Sequence, residues 1–178
     1  CKVHTMAPHS GPVEGASDVV VGVSYISLRA SELGYLRCRF NMSAVKGTFV
    51  NSSAVLCISP PLNSALAGSP HLGRVPLEVS SNAQDFSSSG SLFQYVAEVT
   101  VATVYPASGS LGGGALVQVE GDGFVPGGPR CGFGDTVVGA TIVSSRLVRC
   151  VAPPQHSSGM VVLEVSVNNG ADFSRSRV

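Results

Sequence analysis

The chain has 178 residues, of which 44% are hydrophobic and 12% are charged, and its formal net charge is zero. That length allows one large domain or two small ones. A neutral chain with so few charges lacks the basic surface that binds nucleic acid or an anionic membrane, so no nucleic-acid partner is expected. No segment approaches 18 consecutive apolar residues, and we expect no direct membrane contact in this segment.

The composition is typical of β proteins. Valine, serine, glycine and proline are abundant, aromatic residues make up 6%, and tryptophan is absent. This mixture favours short strands joined by many turns, and no long stretch has the apolar spacing of an amphipathic helix. No signal peptide is visible, and we interpret the chain as an excerpt of a longer protein.

Two halves of the chain share one layout. Cys38 and Cys57 are 19 positions apart, and Pro-Pro follows the second cysteine after two residues; Cys131 and Cys150 repeat both features. Three further matched pairs of segments occur in the same order: Pro8–Gly11 with Pro106–Gly109, Leu77–Ser80 with Leu163–Ser166, and Asp85–Ser87 with Asp172–Ser174. A duplicated domain explains this order.

The duplication predicts domains at residues 1–96 and 97–178. No Gly/Ser-rich linker separates the copies, so we expect a short, stiff junction near Tyr95–Glu98, as in rods and stacked arrays. The first copy carries an insertion of about seven residues around Ala65–Leu72 relative to the second, a change that loops tolerate.

Turn residues divide the second copy into short segments. The predicted elements are strands over 98–105, 115–124 with a turn at Gly121–Gly123, 136–145 and 146–153, and a hairpin over 161–174 with Asn169-Gly170 as its turn. Turns that recur about every 8 to 12 residues are typical of an all-β sandwich. The sequence therefore predicts an all-β fold class.

The motifs of the second half resemble the IPT/TIG domain, an immunoglobulin-like fold. The segments "YPASGSLGGGALVQVEGDGF", "CGFGD", "CVAPP" and "NNGADFS" follow one another in the order of that family. The first half departs from the pattern, with Glu14-Gly15-Ala16 in place of the Gly-Gly pair and Asn41 in place of the glycine of Cys-x-Phe-Gly. The resemblance implies two tandem immunoglobulin-like (IPT/TIG) β-sandwiches, the first divergent.

Equal cysteine spacing in both copies predicts one disulfide in each, Cys38–Cys57 and Cys131–Cys150. Each bond would close a loop of about 20 residues, which contributes about 3 kcal/mol in the chain-entropy model. The alternative is two buried free thiols in each domain. Cys1 is left over, unpaired or bonded to a cysteine outside this excerpt or in another chain.

Two sequons, Asn41-Met42-Ser43 and Asn51-Ser52-Ser53, predict N-linked glycans at Asn41 and Asn51. Disulfides persist in oxidising compartments. Together these features place the protein in the secretory pathway, outside the cell or at its surface.

Metal-binding and catalytic patterns are missing from the sequence. There is no Cys-x-x-Cys or Gly-x-Ser-x-Gly motif, and "GSLGGGA" lacks the Lys-Ser/Thr of a phosphate loop. Asp122 and Asp135 are too isolated for calcium, and Glu78 and Glu164 are expected to be solvent-facing strand residues in separate domains. The four histidines lack zinc-ligand spacing: His4, His9, His71 and His156. We expect no catalytic residue, cofactor or metal.

The leading interpretation is a non-catalytic structural or adhesive tandem module of a large extracellular surface glycoprotein. It would be a repeat unit of a surface filament such as a flagellar hair, or part of a receptor or adhesin stalk. Its expected partners are other domains of the same protein or neighbouring copies.

Two alternatives come from other functions of IPT/TIG-like domains. One is an accessory domain of a secreted polysaccharide-acting enzyme, which the scarcity of aromatic residues opposes. The other is a Rel-like DNA-binding segment, which the neutral charge opposes.

Overall fold

The computed structural model describes residues 1–62 and 73–176, so the predicted insertion at Ala65–Leu72 lies outside the described residues. The chain divides into two compact units, Cys1–Val96 and Ala97–Val178. The described residues form 14 strands and one five-residue helix, which confirms the all-β prediction. No helix in the described ranges is long and apolar enough to cross a membrane.

The first unit is a sandwich whose strands follow the hydrogen-bonded order β1-β3-β6-β5-β4-β7-β8-β2. All its strand pairs are antiparallel except β2–β8, which is parallel. Its elements are β1 (Val3–Ala7), β2 (Ser10–Pro12), β3 (Asp18–Val23), α1 (Leu28–Glu32), β4 (Arg37–Phe40), β5 (Ser43–Asn51), β6 (Ala54–Ile58), β7 (Arg74–Ser80) and β8 (Leu92–Val96).

Strand β5 connects the two layers. Its first half, Ser43–Lys46, pairs with β4, and its second half pairs with β6 from Gly47 onward. Alternating valines on β3, among them Val19 and Val21, point into the core because successive strand residues face opposite sides. The rings of Phe40, Phe93 and Tyr95 fill the other side of the core through edge-on contacts.

The second unit repeats this arrangement with six strands in the order β14-β11-β12-β13-β10-β9. The strands are β9 (Thr100–Tyr105), β10 (Leu116–Asp122), β11 (Arg130–Phe133), β12 (Thr136–Ser144), β13 (Leu147–Val151) and β14 (Leu163–Ser166). They correspond in chain order to β1, β3, β4, β5, β6 and β7. Strand β12 changes partner from β11 to β13 at Ala140, as β5 does at Gly47.

Two predicted details of the second unit are wrong. Strand β10 includes Gly121 and Asp122, two of the three residues of the expected turn, and the chain leaves the strand only at Gly123, whose φ is +84°. The hairpin turn exists, because Asn169 and Gly170 both have positive φ, but the residues after it form no strand within the described range. The Asn168 side chain instead accepts the backbone N–H of Asp172 over 2.9 Å, and of the described residues after the turn only Ser174 keeps a backbone bond to β14, to Val165 O over 2.9 Å.

Candidate interaction surface and modification sites

The cysteines join the layers of each sandwich. The structure bonds Cys38 to Cys57, with Cα atoms 5.9 Å apart, and Cys131 to Cys150, with Cα atoms 6.4 Å apart. Each bond joins strands that are not hydrogen-bonded neighbours, β4 to β6 and β11 to β13. All four cysteines are buried, whereas Cys1 is exposed and forms no disulfide.

The glycine motif and the Pro-Pro motif contact each other in both units. A Cβ on Gly15 would lie 2.6 Å from the carbonyl carbon of Pro60, and a Cβ on Gly113 would lie 2.6 Å from that of Pro153. The next residue donates its N–H over 2.8 Å to Ser59 O in the first unit and to Ala152 O in the second. The divergent Gly15-Ala16 pair therefore keeps the backbone geometry of the Gly-Gly pair.

The two sequons lie at opposite ends of β5. Asn41 occupies the turn after β4 with φ +55°, and the equivalent residue of the second unit is Gly134 with φ +57°. Asn51 is exposed, and its Oδ1 accepts hydrogen bonds from the N–H and the hydroxyl of Ser53, both at 2.9 Å. The Nδ2 atom of Asn51, which would carry a sugar, takes no part in these bonds.

Residues 24–36, between β3 and β4, form a helical insert that the shorter 123–129 connection of the second unit lacks. Ser27 caps α1 by accepting the Arg29 N–H over 3.2 Å, and Gly34 follows the helix with φ +70°. Ile26 and Leu36 are both 1% exposed. These buried residues fix the insert to the sandwich.

Four large apolar side chains of the helical insert face solvent: Tyr25 (66% exposed), Leu28 (52%), Leu33 (53%) and Tyr35 (49%). Apolar groups concentrated in one short segment are typical of a contact surface, and tyrosine is enriched at protein interfaces. The glycan-acceptor turn adjoins this surface, since Ser52 O accepts the Ile26 N–H over 2.8 Å. Sequence reasoning missed the insert, although Ser27 and Gly34 are a helix start and stop signal.

Glu78 is not the solvent-facing residue that the sequence predicted. Its carboxylate forms an ion pair with Arg39, whose Nε donates over 3.1 Å, and its side chain is only 16% exposed. The Arg39 guanidinium also lies 4.1 Å from the ring centroid of Phe86. Glu164 pairs across the strands with Gly132, which offers no cation.

Tyr95 connects β8 to the Pro-Pro motif. Its hydroxyl donates a hydrogen bond to the carbonyl oxygen of Pro60 over 2.6 Å. Burial raises the pKa of Tyr95 to about 12. The ring therefore holds the final strand of the first unit against the opposite layer.

The histidines that were considered as zinc ligands form no cluster in the described part of the chain. His4, His9 and His156 are exposed, and His71 lies outside the described residues. The described ranges contain no cluster of three or more His, Cys, Asp or Glu residues that could hold a metal ion. Asp122 forms an exposed ion pair with Arg146 at 3.0 Å.

Comparison with known proteins identifies the repeated unit. Residues 2–95 and 100–177 match the family described as the IPT/TIG domain. Fibrocystin-L from Mus musculus is 37% identical over 73 residues, and Fibrocystin-L from Homo sapiens is 34% identical over 73 residues; each match covers 41% of this chain and 2% of the relative's length.

Among solved structures, the full extracellular region of Plexin A4 matches with a TM-score of 0.59 and 12% identity. That match covers 99% of this chain and 15% of the plexin chain. At this identity the likeness concerns the fold alone.

Proposed function

Because the chain belongs to the IPT/TIG domain family, we propose that it is a non-catalytic structural and adhesive module of an extracellular or cell-surface glycoprotein. The observation that carries the proposal is the disulfide between the two layers of each sandwich, at the same position in both. Such bonds form and persist in oxidising compartments. N-linked glycans on Asn41 and Asn51 belong to the same proposal.

The connection between the units supports a spacer role. Strand β8 ends at Val96 and β9 begins at Thr100, so only three residues connect them. The disulfides stabilise each sandwich against unfolding and therefore against proteolysis.

The helical insert is the adhesive surface in this proposal, and its partner is a sandwich domain of a neighbouring copy. Its backbone is fixed to the sandwich by the buried Ile26 and Leu36, so little backbone entropy is lost on contact. The zero net charge of the chain adds no long-range repulsion between copies.

Peptide mapping of the native protein, with and without reduction and before and after glycan release, tests the location. We expect linked Cys38–Cys57 and Cys131–Cys150 peptides and enzymatic release of glycan from Asn41 or Asn51. Free thiols with unmodified asparagines would contradict the extracellular proposal and favour the Rel-like alternative.

Self-association of the whole chain tests the adhesive surface. We expect concentration-dependent association in sedimentation experiments, weakened by the double variant Tyr25→Ser/Leu28→Ser. The matched control is Leu116→Ser, which removes an equally exposed leucine (55%) from a strand of the second unit. Equal association of the double variant and the control would refute a role for the helical insert.

A further inference from the structure

One corner of the first sandwich carries two features that the described part of the second sandwich lacks. The helical insert follows β3, and the sequon of residues 51–53 forms the turn between β5 and β6. Two backbone bonds join them, because the third carbonyl oxygen of the sequon accepts the Val23 N–H over 2.9 Å and the second accepts the Ile26 N–H over 2.8 Å. Tyr25, which is 66% exposed, therefore lies in a segment fixed directly to the glycan-acceptor turn.

The second unit has the same turn without the sequon. Two backbone bonds of 3.1 Å join residues 145 and 146 to the end of β10 and the connection that follows it. Ser144, the counterpart of Asn51, accepts the backbone N–H two positions ahead over 3.2 Å. Asn51 makes the same bond, over 2.9 Å, in the first unit. The turn forms without asparagine, so its conformation does not explain why a sequon occurs only beside the insert.

The Asn51 side chain is held in a position that can carry a sugar. Its Oδ1 accepts hydrogen bonds from the N–H and the hydroxyl of Ser53, both at 2.9 Å, and these bonds leave out Nδ2, the atom that bears an N-linked glycan. The residue itself is exposed. A sugar on Asn51 would therefore leave the protein from the same fixed corner that carries Tyr25.

We propose that an N-linked glycan on Asn51 regulates the contact made by the helical insert. The inference rests on the proposed function, which supplies both the glycan and the contact between copies. An N-linked glycan is bulky and hydrated, and it would occupy the solvent beside Tyr25. A partner that covers Tyr25 and Leu28 must exclude this sugar or bury its hydroxyl groups, and burying unpaired polar groups costs free energy. Chains that carry the glycan therefore associate more weakly than chains that lack it.

Sedimentation of the whole chain, produced with its glycans in a glycosylating host, tests the regulation. Removing the acceptor by Asn51→Gln should lower the dissociation constant between copies by at least about tenfold, since even one poorly paired buried polar group costs that much. Asn41→Gln is the matched control. It removes the other sequon, which lies beyond the opposite end of the nine-residue strand β5, and it should leave the dissociation constant unchanged.

Variants of Ser53 separate the effect of the sugar from that of the asparagine side chain. Ser53→Ala destroys the sequon but keeps Asn51, and it should strengthen association as Asn51→Gln does. Ser53→Thr keeps the sequon and should match the parent chain. Peptide mapping of each chain verifies which asparagines carry glycan, and an unmodified Asn51 in the parent would overturn the proposal.

The remaining outcomes distinguish this regulation from the proposed function. If the parent and Asn51→Gln associate equally and Tyr25→Ser/Leu28→Ser weakens both, the contact stands and the regulation is overturned. An equal gain from Asn41→Gln would overturn it as well, because the position of the sugar would then not matter. If Asn51→Gln does not associate, or if Tyr25→Ser/Leu28→Ser leaves its association unchanged, the proposed contact itself is refuted and the regulation with it.

Discussion

Replacing Gly113 by alanine tests whether the contact between the glycine pair and Pro-Pro holds the second sandwich together. Gly113 has φ +69°, a conformation that costs an alanine about 1–2 kcal/mol. Its new Cβ would also lie 2.6 Å from backbone atoms of Pro153 and Pro154, and such overpacking costs about 1–3 kcal/mol. The two terms together predict a loss of about 3 kcal/mol.

Gly114→Ala is the matched control, one residue further along the chain. Gly114 has φ +83°, but a Cβ there would meet no described atom within 4 Å. Only the backbone term remains, about 1 kcal/mol. The first unit already contains this substitution, because Ala16 has φ +68° at the equivalent position.

Differential scanning calorimetry of the whole chain measures both variants. For a domain of this size, about 1 kcal/mol shifts the Tm by about 4–8 °C. Gly114→Ala should therefore lower the Tm of the second unit by about 5 °C, and Gly113→Ala by at least twice that amount. Equal shifts would show that the Pro-Pro backbone yields freely and that the close approach contributes nothing to stability.

Three further predictions concern named bonds. The folded chain holds the Tyr95 proton more tightly than the unfolded chain does. The contribution of this raised pKa to the free energy of unfolding is therefore complete below pH 10 and is lost as the pH rises through 12. Tyr95→Phe should remove this pH dependence from the free energy of unfolding measured in urea. Arg39→Ala breaks the partly buried ion pair with Glu78 and the contact with the Phe86 ring, and it should lower the free energy of unfolding by about 1–2 kcal/mol in chemical denaturation. Arg146→Ala breaks the exposed ion pair with Asp122 and should lower it by less than about 0.5 kcal/mol. Replacing Cys131 and Cys150 by alanine should cost about 3 kcal/mol by calorimetry, and an unchanged Tm would contradict the entropic account.

The all-β fold could be predicted from the sequence because the strand and turn signals are local and occur in both copies. Alternation predicted β10, the division of the sequence by turn residues predicted β12 and β13, and two cysteines at fixed spacing in each copy suggested a pair in each sandwich. Strand β11 was missed because Arg130–Phe133 is too short to show alternation. The return strand after Gly170 was wrongly predicted because a turn signal does not reveal that the Asn168 and Ser174 side chains bond backbone N–H groups in place of a regular ladder.

The candidate site was less predictable than the fold. Which apolar side chains of the helical insert stay exposed depends on which of its residues are buried. The packing of Ile26 and Leu36 against the sandwich decides that. Likewise, the exposure of Glu78 depends on Arg39, which is 39 positions away in sequence and lies directly opposite it on the neighbouring strand. Neither relation follows from local spacing.

Where the first unit lacks a glycine of the family pattern, the residue differs but the backbone conformation is kept. Ala16 and Asn41 occupy positive-φ positions where the second unit has Gly114 and Gly134. Asparagine tolerates this conformation better than other residues with a side chain, because its short amide bonds the local backbone. The turn after β4 therefore admits Asn41 at low cost, and with Ser43 this single change creates a sequon on a turn that the rest of the sandwich already holds in place.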